Sequence, residues 1–204
     1  MHPGESNASF IVEGIIDFLM SNEQEAQVLR DRYVFKIVPM LNPDGVIVGN
    51  YRVSLGGYDL NRQWLNPSMR NSPEIYCMKE MMRKTLECRK IDLFTDIHGH
   101  SRAKNLFIYG CSKLTGGPHT QGPLGNSIQI PGDKNRGKGG FIPANLNTNS
   151  ITNQSIQNLT TKEKVIPWLM KKNCEDFSYN NCQFGVIKAK ESTGRVVVHK
   201  EFNI

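Results

Sequence analysis

Apolar residues recur at helical spacing between residues 6 and 20, where Phe10, Ile11, Gly14, Ile15, Phe18 and Leu19 share one face. Ser6 or Asn7 is placed to cap that helix. The period then changes. Tyr33 to Val38 is a short apolar run rich in β-branched residues and stopped by Pro39, which predicts a strand. Asn42-Pro43-Asp44-Gly45 predicts a turn. Ser72-Pro73-Glu74 opens a second helix, with Ser as N-cap and Pro in the first turn. Ile75, Met78, Met82 and Leu86 form its stripe, and their spacing predicts a core face. Ile91 to Asp96 and Asn105 to Tyr109 predict strands, Glu163 to Lys172 a short helix, and Gln183 to Lys188 and Arg195 to His199 two more strands. Strands alternating with helices predict an α/β fold with a mixed central β-sheet flanked by helices on both faces.

Residues 112–157 break the pattern. They are rich in Gly, Asn, Pro, Ser and Thr, nearly without aromatics, and carry Lys134, Arg136 and Lys138. Such a stretch buries too little apolar surface to order itself, so a long loop or disordered insertion is expected there.

The chain has 204 residues, enough for one domain with a sizeable core. Mean hydropathy is −0.43, and no apolar run approaches the ~20 residues of a membrane span. The five cysteines are odd in number and lack C-x-x-C spacing, as expected of free thiols in a reducing compartment. The net charge of +6 suits an acidic partner. It would also suit nucleic acid, but no basic stripe interleaved with aromatics appears, so nucleic acid is not an expected partner.

Three stretches carry candidate chemistry. His2-Pro3-Gly4-Glu5 is a His-x-x-Glu pair, whose side chains can aim at one point from a single tight turn. Alone, the pair is a weak signal that reads first as surface turn residues. His98, in His98-Gly99-His100, follows the Ile91–Asp96 segment at its carboxyl end, where α/β sheets place their sites. Two His and one Glu, with a position open to water, make a catalytic zinc set. Asn61-Arg62 places a planar cationic fork beside an amide, which suits a carboxylate.

In this order, HPGESNAS, KIVPMLNPDGVIVGNYR, DLNRQW, DIHGHSR, FIYGCS and KESTGRVVV resemble the zinc carboxypeptidases, the family of carboxypeptidase A. They are most similar to its cytosolic branch, which removes glutamates from tubulin and other acidic tails. The resemblance implies one zinc ion bound by His2, Glu5 and His98. It implies that Asn61 and Arg62 bind the substrate's C-terminal carboxylate. Arg52 matches the arginine that polarises the scissile carbonyl and stabilises the oxyanion. Arg195 occupies the position that in cytosolic members is a basic residue facing the terminal side chain; it reads equally as a solvated arginine. His100 is expected to be a hydrogen-bonding neighbour of the site, and His119 and His199 ordinary polar histidines. Expected partners are acidic polypeptide C-termini, including tubulin, in a cytoplasmic, microtubule- or cilium-associated setting.

In this family the general base is a Glu in a Tyr-Thr-x-Glu-like strand some distance after the KESTGRVVV match. The resemblance therefore implies a partial catalytic domain, incomplete at both ends, with the base beyond Ile204 and a β-rich domain upstream. Such a piece is expected to turn over weakly or not at all. Glu191 is the alternative base; its other reading is a carboxylate paired with a nearby Lys or Arg. Two further functions stay open: a zinc amidoacylase on the same fold, and a non-catalytic module that binds zinc or a carboxylate.

Overall fold

The computed structural model describes residues 1–112 and 162–204. The loop expected over 112–157, with His119, lies outside the described residues apart from Ser112. Two compact units are present, one made of Met1–Lys104 with Val186–Ile204, the other of Asn105–Gly185.

The first unit opens with α1 (Asn7–Met20), the helix that the apolar spacing predicts. Only Leu19 of its stripe is buried; Phe10, Ile15 and Phe18 are exposed. The next helix, α2 (Gln24–Arg32), carries almost no apolar pattern and was not expected. Its support is local. Glu25 lies in the first turn and Arg30 and Arg32 in the last, which complements the helix dipole. Arg30 also donates to the carbonyls of Leu19 and Ser21, and Ala26 is fully buried. The turn expected at Asn42 continues into a short helix, α3 (Pro43–Val48). Asn42 Oδ1 accepts the Gly45 amide at 3.0 Å, and Gly49 ends the helix at φ 84°.

Helix α4 (Pro73–Cys88) starts where Ser72-Pro73 predicts. Ile75 and Met82 are buried and Met78 packs against them, so this part of the stripe is core, while Leu86 at its end is exposed. The core also holds Leu60, Trp64, Val197, Val198 and Phe202. Each fully buried Leu or Ile contributes about 1.5–3 kcal/mol. Trp64 meets Phe94 edge to face at 5.7 Å.

The strand expected at Arg195–His199 is instead part of helix α6 (Gly194–Phe202). Three consecutive valines favour a strand intrinsically, but tertiary context outweighs that preference. Val196, Val197, Val198 and Phe202 are all buried, and the Thr193 carbonyl accepts the amides of Val196 and Val197. Among the described residues, Tyr33–Val38 and Ile91–Asp96 make no strand ladder. A strand is defined by pairing with a neighbour, which an apolar run does not itself supply. Several of these apolar side chains, Val34 and Leu93 among them, are exposed.

In the second unit, α5 (Lys162–Asn173) coincides with the expected helix, with Pro167 inside it. The strands expected at Asn105–Tyr109 and Gln183–Lys188 are reduced to isolated parallel bridges, Leu106 with Phe177 and Tyr109 with Gln183, and Lys188 opens a 3-10 turn instead. All five cysteines are free thiols.

Candidate metal centre

The site lies within the first unit. Its first part is a tight turn, closed by the Glu5 amide donating to the His2 carbonyl at 3.2 Å. Pro3 fits the second turn position. Gly4 donates to the Tyr51 carbonyl at 2.8 Å, and a Cβ there would stand 2.3 Å from the Tyr51 ring, so only glycine fits. The turn aims both side chains inward: His2 Nδ1 is 2.8 Å from Glu5 Oε1. Ninety-three positions along the chain, His98 Nδ1 reaches Glu5 Oε2 at 2.9 Å, and the Gly99 amide donates to the same oxygen at 2.7 Å. The two imidazole centroids are 4.8 Å apart.

The other ring nitrogens are held by aspartates. His2 Nε2 is 3.0 Å from Asp59 Oδ1, and His98 Nε2 is 2.8 Å from Asp96 Oδ2. Asp59 also accepts the Asn61 amide at 2.9 Å, capping a 3-10 turn over Leu60–Arg62. Its second oxygen takes Arg52, through Nε at 2.9 Å and a terminal guanidinium nitrogen at 2.7 Å. Asn61 is buried. Its Oδ1 accepts the Gly194 amide at 2.9 Å, which fixes the amide and leaves Nδ2 at 3.2 Å from His98 Nε2. Arg62 donates to the Asn61 carbonyl at 2.8 Å.

The charges follow from this packing. Burial by itself pushes the Glu5 carboxyl up. Hydrogen bonds from His2, His98 and the Gly99 amide outweigh it and hold Glu5 well below the usual carboxylate range. Asp59 is likewise raised by burial but lowered overall by His2 and Arg52. Burial pulls His98 down, yet its bonds to Asp96 and Glu5 dominate and raise it to about 9.

His2, Glu5 and His98 each offer a donor atom within 4.8 Å of the others. Two imidazole nitrogens facing one carboxylate need a proton or a cation among them. Two nitrogens and an oxygen suit zinc, and a carboxylate behind each Nε2 is the usual backing of a metal-bound histidine. The donor set therefore fits the zinc ion that the sequence predicts.

The remaining candidates are distributed as follows. Arg52 reaches His2 only through Asp59. Arg195 follows Gly194 directly and is half-buried. Glu191 is exposed and pairs with Lys200 at 3.3 Å. His100 accepts the Arg102 and Ala103 amides, capping the following turn. His199 bonds the Ile204 carbonyl at 2.8 Å. Sequence reasoning assigned no role to Asp59 or Asp96. Both lie inside the motifs DLNRQW and DIHGHSR, and the Asp-x-His spacing of the second was the available signal.

The fold is that of a metallo-carboxypeptidase. It superposes over 99% of this chain on the metallo-carboxypeptidase from Burkholderia cenocepacia, with a TM-score of 0.67 and 25% identity, covering 43% of that chain. Residues 1–194 match the zinc carboxypeptidase family, peptidase M14, and the chain belongs to it. Among named relatives, cytosolic carboxypeptidase 3 of Bos taurus is 37% identical over 98% of this chain and 16% of that protein. Cytosolic carboxypeptidase 1 of Xenopus laevis is 40% identical over 100% of this chain and 14% of that protein. The chain thus spans about one-sixth of the length of these relatives. Among the described residues, no helix is long and apolar enough to cross a membrane.

Proposed function

We propose that the protein hydrolyses C-terminal peptide bonds with zinc and removes glutamate from acidic protein tails, such as those of tubulin, in the cytoplasm. One observation carries the reading: Asn61, half of the carboxylate-binding pair, stands 3.2 Å from His98 of the His2–Glu5–His98 cluster. On this reading the carboxylate end of a substrate would lie beside the metal ligands. The α/β fold with a mixed central sheet belongs to the same proposal.

His2, Glu5 and His98 would hold the zinc ion, which would supply Lewis acidity and a water that is nucleophilic near neutral pH. Asn61 and Arg62 receive the terminal carboxylate, the guanidinium through two parallel hydrogen bonds. Arg52, anchored on Asp59, presents a permanent charge to the carbonyl oxygen as it becomes an oxyanion. Arg195 supplies the cation for the glutamate side chain. Proton transfer from water to the leaving amine needs a further carboxylate as general base. Glu191, exposed and paired with Lys200, is the less favoured choice for it.

Mass spectrometry of polyglutamate-tailed peptides tests this, using residues 1–204 and a form extended past Ile204, each with and without chelator. Chelator-sensitive glutamate release by the extended form is expected. Chelator-insensitive release, or none, overturns the reading. Rapid turnover by residues 1–204 relocates the base, and Glu191→Gln then tests the new position.

A further inference from the structure

We propose that Asp96 is the positioning residue for His98: it holds the ring by Nε2 and so commits Nδ1 to the metal. The inference rests on the zinc reading of His2, Glu5 and His98, and adds to it a residue outside the ligand set.

Asp96 and His98 are two positions apart, near enough for their side chains to meet. The carboxylate thus stands beside the imidazole, with Oδ2 2.8 Å from Nε2. The Asp96 side chain is 14% exposed, so water competes little for that oxygen. Opposite, Nδ1 faces Glu5 Oε2 at 2.9 Å. A histidine has two nitrogens and a freely turning χ2; fixing one nitrogen fixes what the other can reach.

The neighbouring amide does not do this work. Asn61 Oδ1 is taken by the Gly194 amide, so the group facing Nε2 is an NH2, a donor. Nε2 must itself donate when Nδ1 serves a cation, and Asn61 cannot accept from it. Asp96 is the acceptor in place. His2 has an equivalent arrangement with Asp59, but Asp59 is shared with Arg52 and the Asn61 amide. Asp96 offers a carboxylate to one ring from the next-but-one residue, so ligand and support move together.

The test compares the 204-residue chain with Asp96→Asn, and with Asp92→Asn as control. Asp92 is exposed, pairs with Lys90 at 2.5 Å, and carries the same charge four residues away. Zinc affinity is read by competition with a chromogenic chelator, and the cobalt-loaded visible spectrum reports ligand geometry. Asp96→Asn is expected to weaken zinc about 10–100-fold and to alter the cobalt bands; Asp92→Asn is expected to change neither. If Asp96→Asn folds only with metal, the zinc concentration that restores its far-UV circular dichroism becomes the readout. Affinity within twofold of the parent, an unchanged cobalt spectrum, or equal weakening by Asp92→Asn overturns the role of Asp96 alone. Failure of the parent chain to bind zinc overturns the metal reading beneath it.

Discussion

Asn61 Oδ1 accepts the backbone amide of Gly194 at 2.9 Å, joining residues 133 positions apart in a buried hydrogen bond. That bond ties Asn61 to the first residue of α6. Asn61→Ala leaves the Gly194 amide buried without this acceptor. The expected cost is about 1–3 kcal/mol. Urea denaturation should show a lower midpoint, and hydrogen exchange at Gly194 should accelerate. An unchanged exchange rate would mean that α6 is positioned by other contacts.

Gly194 itself allows no side chain. A Cβ there would stand 2.8 Å from Trp64 Cε2, with Cζ2 and Nε1 at 3.1 Å. Trp64 is fully buried against Phe94, so its ring has little room to yield. Gly194→Ala should destabilise the chain by roughly 1–3 kcal/mol through overpacking. Differential scanning calorimetry measures this directly, and an unshifted transition would show that the Trp64 ring can move aside.

These packing relations explain which parts of the molecule were readable from sequence. Helices α1 and α4 announced themselves through apolar spacing and start signals. Helix α2 did not, because Gln24–Arg32 has almost no apolar stripe and draws its support from charges and from Arg30 on the preceding carbonyls. Val196–Val198 signalled a strand because valine favours one. Burial of Val197 and Val198 in one cluster with Leu60 and Trp64 decided otherwise, and no local preference contains that contribution. The grouping of His2, Glu5 and His98 was readable because chemistry restricts which residue types can face one metal ion together. Asp59 and Asp96 were passed over, since an aspartate near a histidine gains meaning only once it is known which ring nitrogen it faces.

Lys79 and Glu201 give a pH-dependent prediction away from the metal centre. The Lys79 ammonium is buried, 2.6 Å from Glu201 and 2.9 Å from the Trp64 carbonyl, and Arg83 reaches the other Glu201 oxygen at 2.7 Å. Burial raises the Glu201 carboxyl, but Lys79 and Arg83 bring it below its ordinary value of 4.5. A depressed carboxyl contributes stability that is present above pH 4.5 and lost as pH falls through its lowered pKa. Glu201→Gln should therefore lower stability at pH 7 by roughly 1–2 kcal/mol, a figure reduced by the partial exposure of Glu201. Its stability should also fall less steeply with acid. Glu5 and Asp59 are depressed too, so part of the acid sensitivity should persist. Thermal midpoints between pH 3 and 7 measure both effects, and parallel curves for parent and variant would exclude Glu201 as a contributor.

Zinc should stabilise the chain by mass action, because the unfolded polymer does not hold His2 and His98 on opposite oxygens of Glu5. At free zinc 100-fold above Kd, the gain expected for a single site is about 2.7 kcal/mol. Chelator should reverse it. Glu5→Ala removes one donor and the carboxylate that both rings face, so its thermal midpoint should no longer respond to zinc. Glu191→Ala, which loses only an exposed ion pair with Lys200, should respond as the parent does. Equal zinc responses of parent and Glu5→Ala would place the ion elsewhere on the chain and remove the His2–Glu5–His98 cluster from the chemistry.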